Sequence, residues 1–229
     1  MPSFLAQAAC ETLWPTRCAV CDAPGSLLCE RCAAQLHFVD FYQACPRCGS
    51  PWGRIQCDAC DPTARMHKPC VEPCVSCLEY DLAAGRIVKT FKDKGERRLA
   101  EPIGLMMARI AQPSWTAWAQ AVSFVPATKA AVKRRGFDHA SLLAGVFSRA
   151  TQLPCVRLIE QASAADQRLL GRSDRQANMA GRFRAPRARA FERVIVIDDV
   201  LTTGSTLAGA RMALERQGCA ARFVTFARV

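Results

Sequence analysis

The chain has 229 residues, half of them hydrophobic and 22% charged, with a formal net charge of +11. That balance excludes disordered and fibrous classes, and the length suits one ordinary domain with a small extra module. No run approaches the ~18 apolar residues of a membrane-spanning helix. The first fourteen residues lack the basic start and apolar core of a signal peptide, so a cytoplasmic protein without membrane insertion is expected.

From the N-terminus, the cysteines come first. Twelve of fourteen lie in residues 1–77, and eight of these form four C-x-x-C pairs: Cys18/Cys21, Cys29/Cys32, Cys45/Cys48 and Cys57/Cys60. Each C-x-x-C step places two thiolates on one tight turn, and a second such turn completes a tetrahedral set. Segments this short and loop-rich bury little apolar surface alone, so a metal would supply much of their folding free energy. Disulfides would need an oxidising compartment. A redox C-x-x-C usually stands alone beside a βαβ unit, and iron–sulfur spacing is less ribbon-like. The expectation is structural zinc, in one or two ribbons: Cys18, Cys21, Cys29 and Cys32, then Cys45, Cys48, Cys57 and Cys60. Cys10, Cys70, Cys74 and Cys77 are left over, with Cys77 expected as a buried small hydrophobe on a strand over 74–80. His37 and His67 are expected to be solvated. Residues 1–70 would form the cysteine-rich module and 71–229 an α/β domain.

The charge divides along the same line. Residues 1–81 carry 6 Lys+Arg against 9 Asp+Glu, and residues 82–229 carry 25 against 11. The basic excess would concentrate anions: nucleic acid, an anionic membrane or a multiply phosphorylated small molecule.

Within this basic part, residues 121–125 (AVSFV), 155–159, 194–197 (VIVI) and 221–227 read as buried strands. Residues 97–111, 139–150 and 205–217 have helical spacing of apolar side chains, and 185–192 reads as a loop. Such alternation predicts a mostly parallel sheet flanked by helices. After VIVI come Asp198-Asp199, then Thr202, Thr203, Gly204, Ser205 and Thr206 opening a helix. Ligands of open α/β sheets bind beyond the carboxyl ends of strands. A Thr/Gly/Ser loop at a helix start suits a phosphate monoester. The two carboxylates suit sugar hydroxyls or a divalent cation. Simple helix capping would not explain two adjacent carboxylates at the end of a buried strand, where unpaired charge is costly.

The thirteen residues 194–206, VIVIDDVLTTGST, resemble the phosphoribosyl pyrophosphate (PRPP) motif of type I phosphoribosyltransferases. The paired cysteines, Phe91-Lys92-Asp93-Lys94-Gly95, Val125-Pro126, Arg135-Gly136-Phe137-Asp138 and the 167–183 stretch narrow the resemblance to the ComF-like, competence-associated family. It covers nearly the whole chain. The resemblance implies a type I phosphoribosyltransferase-like α/β fold behind a double zinc ribbon. It implies that residues 202–206 cradle the 5′-phosphate and that Asp198 and Asp199 engage the ribose hydroxyls, with Mg²⁺ nearby. The turn at Ala127-Thr128-Lys129 would receive pyrophosphate, with Lys129 as charge partner and Arg134, Arg135 and Lys92 adding to it. Residues 167–183 (Gln167, Leu170, Arg175, Asn178, Phe183) would form a flap over the ligand. Two departures touch the site: Phe124-Val125-Pro126 replaces Pro-x-Pro, and Asp138-His139 replaces Asn-Gln. His139, opening a helix, is expected to be a solvated polar residue rather than a general acid or base.

Two functions follow. One is Mg²⁺-dependent transfer of phosphoribosyl from PRPP to an unidentified, nitrogenous small-molecule acceptor, with Asp198, Asp199, Lys129 and Arg135 closest to the chemistry. The other is a non-catalytic adaptor sensing nucleotides or handling single-stranded DNA with DNA-uptake proteins. Few aromatic residues in the basic half argue against a stacking platform there.

Overall fold

The computed structural model describes residues 15–61, 71, 73–111, 113–162 and 181–229. Cys10, His67, Cys70 and most of the expected flap, including Gln167, Leu170, Arg175 and Asn178, lie outside them.

After a short helix α1 (Glu30–Ala34), the chain enters β1 (Cys74–Glu79) and α2 (Leu82–Lys92). Asp81 caps α2 by accepting from the Ala84 N–H, and Ala84, Ile87, Val88 and Phe91 give it one buried face. A 3₁₀ turn (Arg97–Leu99) leads into α3 (Ala100–Ile110), and α4 (Pro113–Trp118) follows. The expected helix over 97–111 is thus a tight turn plus a helix, with Glu96 capping the turn through the Arg98 N–H.

Next come β2 (Ala121–Phe124), α5 (Lys129–Arg135) and α6 (His139–Thr151). α5 was not anticipated. Thr128 caps it, and Gly136 ends it at φ 77°, a left-handed conformation that glycine adopts freely. The two-residue strands β3 (Glu160–Gln161) and β4 (Phe183–Arg184) pair antiparallel as a ribbon. The chain ends with β5 (Arg193–Leu201), α7 (Ser205–Glu215) and β6 (Ala220–Arg228).

The main sheet has the order β1-β6-β5-β2, and every pairing in it is parallel. The fold is therefore α/β with a parallel sheet, as the alternation predicted. β5 is central and nearly continuously apolar, as a strand covered on both faces requires. Ile195 and Ile197 face a core with α2, α3 and α6, while Val194 and Val196 face a second core with α7. Gly104 lets α3 approach α6 closely, since a Cβ there would meet the Val146 Cβ at 2.6 Å.

The expected strand over 155–159 is a correction. Its only pairing in the described structure is an isolated bridge between Cys155 and Val122. Beyond it the Leu158 N–H donates to the Ser123 hydroxyl rather than to a backbone carbonyl, so the ladder does not continue.

The cysteine-rich part covers the outer edge of β1, the device by which sheets avoid open edges. Val39 N–H donates to the Cys77 carbonyl and Glu79 N–H to the His37 carbonyl, both at 2.9 Å. Gly49, at φ 68°, lies against the Cys74 carbonyl, where a Cβ would come within 2.5 Å. Arg228, at the end of β6, donates to the Cys48 carbonyl and reaches its sulfur at 3.7 Å. No described helix is long and apolar enough to cross a membrane.

Candidate functional site

Three clusters of chemistry-bearing side chains form among the described residues. Two are the cysteine groups, Cys18/Cys21/Cys29/Cys32 and Cys45/Cys48/Cys57/Cys60, with all ligand atoms of each group within 4.8 Å of one another. Sulfur pairs lie 3.7 Å apart for Cys21–Cys29, 3.8 Å for Cys45–Cys60 and 3.6 Å for Cys48–Cys57. A tetrahedral zinc with bonds of about 2.3 Å spaces its sulfurs by about 3.8 Å, so the donor set fits. Burial opposes ionisation of Cys18, yet the N–H groups of Cys21, Cys29 and Val20 bring its thiol down to about 6, while burial and the neighbouring thiols push Cys32 up to about 12. Gly53 backs the second group closely, for a Cβ there would sit 2.9 Å from the Cys45 Cβ. Cys77 is buried and its thiol is pushed up by burial, the behaviour of an inert core side chain. His37 is exposed, with its Nδ1 2.9 Å from Asp81 Oδ2.

The third cluster is at the carboxyl end of β5, and it joins Asp198, Asp199 and His139. The strand runs to Leu201, so both carboxylates sit within the paired strand rather than after it, with Asp198 opposite Thr225. Strand alternation would send them to opposite faces, yet an oxygen of each lies within 4.8 Å of the other and of a His139 nitrogen. Asp199 shares its face with Ile195 and Ile197 and meets the helical side chains Lys92 from α2 and His139 from α6. Lys92 Nζ is ion-paired with Asp199 Oδ2, and His139 Nε2 lies 3.5 Å from Asp199 Oδ1. Asp198 instead accepts from the Asp199 N–H at 2.9 Å through Oδ1.

The electrostatics separate the two carboxyls. Burial drives Asp198 well above the ordinary carboxylate value, and the Asp199 charge adds to that push while Lys92 opposes it. Burial also works against charge on Asp199, but the His139 hydrogen bond and the Lys92 charge outweigh it and hold that carboxyl below the ordinary range. Two adjacent carboxyls in one site cannot both ionise freely. Here the surroundings favour charge on Asp199 over charge on Asp198.

His139 corrects the sequence expectation. It is 7% exposed rather than solvated, and its Nδ1 is buried without a hydrogen-bond partner among the described residues. The helix that it opens packs against the sheet, so its first turn is carried under the end of β5. The start of this helix was legible, because Asp138 accepts from the Ser141 N–H as an N-cap. Burial of its first residue was not.

The loop after β5 leaves Thr202 and Thr203 exposed, and Gly204 turns it at φ 76° into α7. Thr203 Oγ1 and Ser205 Oγ are 2.8 Å apart, and the Ser205 N–H points to Thr203 Oγ1 at 3.4 Å. Thr206 is half-buried in the first turn of α7. Hydroxyls and backbone N–H groups therefore gather at the start of an eleven-residue helix, beside a pair of carboxyls.

The expected cations differ in their partners. Lys92 engages Asp199, and Arg135 reaches Asp93 at 3.4 Å. Lys129 and Arg134 are exposed on α5, and neither has an ion-pair partner among the described residues. Phe183, the described member of the expected flap, is buried in β4.

No protein-family model matches the chain. It is 25% identical over 185 residues to the DNA utilization protein YhgH of Escherichia coli (strain K12), covering 77% of this chain and 80% of that protein. The protein of the same name from Shigella flexneri is 25% identical over 184 residues, covering 77% and 79%. Among solved structures, orotate phosphoribosyltransferase from Aeropyrum pernix aligns over 68% of each chain with 17% identity and a TM-score of 0.34. The chain is thus similar along most of its length to proteins named for DNA utilization.

Proposed function

We propose that this protein is a ComF-like, PRPP-binding protein of phosphoribosyltransferase type, with residues 1–70 as a zinc-stabilised module and 71–229 as the ligand-binding domain. One observation carries the reading: the adjacent buried carboxyls Asp198 and Asp199 lie near the carboxyl end of β5 in a parallel sheet, two residues before a Thr/Gly/Ser loop that opens α7. In this reading Thr202, Thr203, Gly204, Ser205 and Thr206 receive the 5′-phosphate. Asp198 and Asp199 take the 2′- and 3′-hydroxyls. The connection at Ala127-Thr128-Lys129 faces the pyrophosphate, with Lys129 free to pair with it.

The oxygen donors suit Mg²⁺, which prefers carboxylates and substrate phosphates to an all-protein cage, and which when bound would neutralise pyrophosphate charge. The chain's own part is positioning. Lys92 and His139 hold the Asp199 carboxylate in a fixed orientation. Asp198 is oriented by accepting the Asp199 N–H. Loss of pyrophosphate from ribose C1, with attack by a nitrogen of the acceptor, would then proceed in a preorganised site. Asp199→Asn is expected to weaken PRPP binding at least tenfold, on the order of 1.4 kcal/mol, in titration calorimetry. Unchanged affinity would remove the assignment.

A second reading, handling of single-stranded DNA, is favoured by the name of the relatives and by the basic charge of residues 82–229. Phe41, Tyr42 and Trp52 stand exposed in the cysteine-rich part, where bases could stack. Affinity for an oligonucleotide should then fall steeply with salt, and salt-insensitive or absent binding would count against it.

A further inference from the structure

The connection between β2 and α5 is held from two sides. Parallel pairing continues past β2, where the Val125 N–H donates to the Ile197 carbonyl at 3.0 Å. By the register of β2 on β5, Val125 stands level with Asp198, and the connection leaves the sheet there. The next peptide group, between Pro126 and Ala127, is fixed at both of its polar atoms, each by a side chain from a different element. Gln161 of β3 donates through Nε2 to the Pro126 carbonyl at 2.9 Å. Asp138 accepts the Ala127 N–H through Oδ2 at 3.1 Å, while its Oδ1 faces the Ser141 N–H at 3.4 Å as the cap of α6. One side chain thus holds the carbonyl and the other the N–H of the same peptide, and both come from later in the chain, 35 and 11 residues away. Neither contact is needed for the strand pairing, which the backbone already makes.

We propose that Gln161 and Asp138 are positioning residues that fix the connection 125–129 for the pyrophosphate end of the ligand. They set how strongly pyrophosphate adds to ribose 5-phosphate binding, an inference that rests on the PRPP reading above. Fixing this segment in the free protein spares the ligand the ordering cost of a loop. Gln161 is not at a position the PRPP motif contains, and Asp138 stands where the resemblance would have Asn, which also offers an acceptor oxygen.

The test is calorimetric titration of the full zinc-loaded chain with ribose 5-phosphate and with PRPP plus Mg²⁺. The native protein is compared with Gln161→Met, which removes the donor at similar length. Ribose 5-phosphate affinity is expected to stay within twofold. The advantage of PRPP over it should shrink about fivefold, the effect of one hydrogen bond of ~1 kcal/mol. Asp138→Asn should keep most of that advantage and Asp138→Ala should lose it, a contrast that also serves if Gln161→Met fails to fold. An unchanged ratio in both series, or equal losses for the two ligands, would overturn the positioning role. If the native protein binds neither ligand, the PRPP reading itself fails, and the inference with it.

Discussion

The two cysteine groups and the carboxyl site are built by opposite routes. Each cysteine group closes over a short span, Cys18 to Cys32 or Cys45 to Cys60, so spacing along the chain is nearly the whole of its geometry. The site at the end of β5 gathers Lys92, His139 and Asp199 from three elements more than a hundred residues apart at the extremes. Local spacing can specify the first kind of site in a poorly packed segment, because a metal supplies the energy that a small core lacks. The second kind depends on helices packing correctly on a sheet, and a motif supplies only part of it.

Stripping metal should show the largest effect. If each cysteine group holds zinc, chelation should release two ions per chain and unfold the cysteine-rich part, with a loss on the order of 10 kcal/mol for each site. Zinc content by atomic absorption, read beside thermal unfolding, checks this. A chain that keeps its melting temperature under strong chelation would break the contrast between the two regions.

Next in size is the ion pair inside the carboxyl site. Asp199→Asn leaves the largely buried Lys92 ammonium without its carboxylate and should destabilise by about 3–5 kcal/mol. Adding Lys92→Met should recover much of that loss, which equilibrium denaturation can measure. Equal losses for the single and double variants would mean that Lys92 and Asp199 do not act as a pair.

Distant packing can be probed at Gly104. Gly104→Ala would drive a methyl into Val146 and separate α3 from α6, the helix that carries His139, at a cost of roughly 1–3 kcal/mol. The local cysteine groups should hold their metal unchanged in this variant.

Much of this architecture was legible in advance. The strands over 121–125, 194–197 and 221–227 and the helices over 139–150 and 205–217 announced themselves by period and length, because buried parallel strands are apolar throughout and amphipathic helices are not. What escaped the sequence depended on tertiary contact. Residues 155–159 have the composition of a strand, but a serine hydroxyl takes the N–H that would have continued the ladder. Lys92 reads as a cation for a ligand, yet helix packing turns it onto Asp199. His139 looks solvated beside Asp138, until the placement of α6 buries it.

The pH dependence is the subtlest expectation. Asp199 has a depressed value, so its contribution to stability is present above the ordinary carboxylate range and is lost as pH falls below it. Asp198 has a raised value, so its contribution is present in acid and is lost as pH rises through its elevated folded value. Asp198→Asn should therefore remove a decline in stability on the alkaline side of about pH 4, seen as a flatter melting curve against pH than the native protein gives. Identical pH profiles would mean that burial does not raise the Asp198 carboxyl.

The central claim is that the end of β5 binds PRPP, and thermal unfolding of the zinc-loaded protein with PRPP, with and without Mg²⁺, tests it most directly. A ligand that binds only the folded state must raise the melting temperature. The account predicts a Mg²⁺-dependent rise in the native protein that the Asp198→Asn/Asp199→Asn double variant lacks. No rise at millimolar PRPP, or the same rise in the double variant, would contradict it.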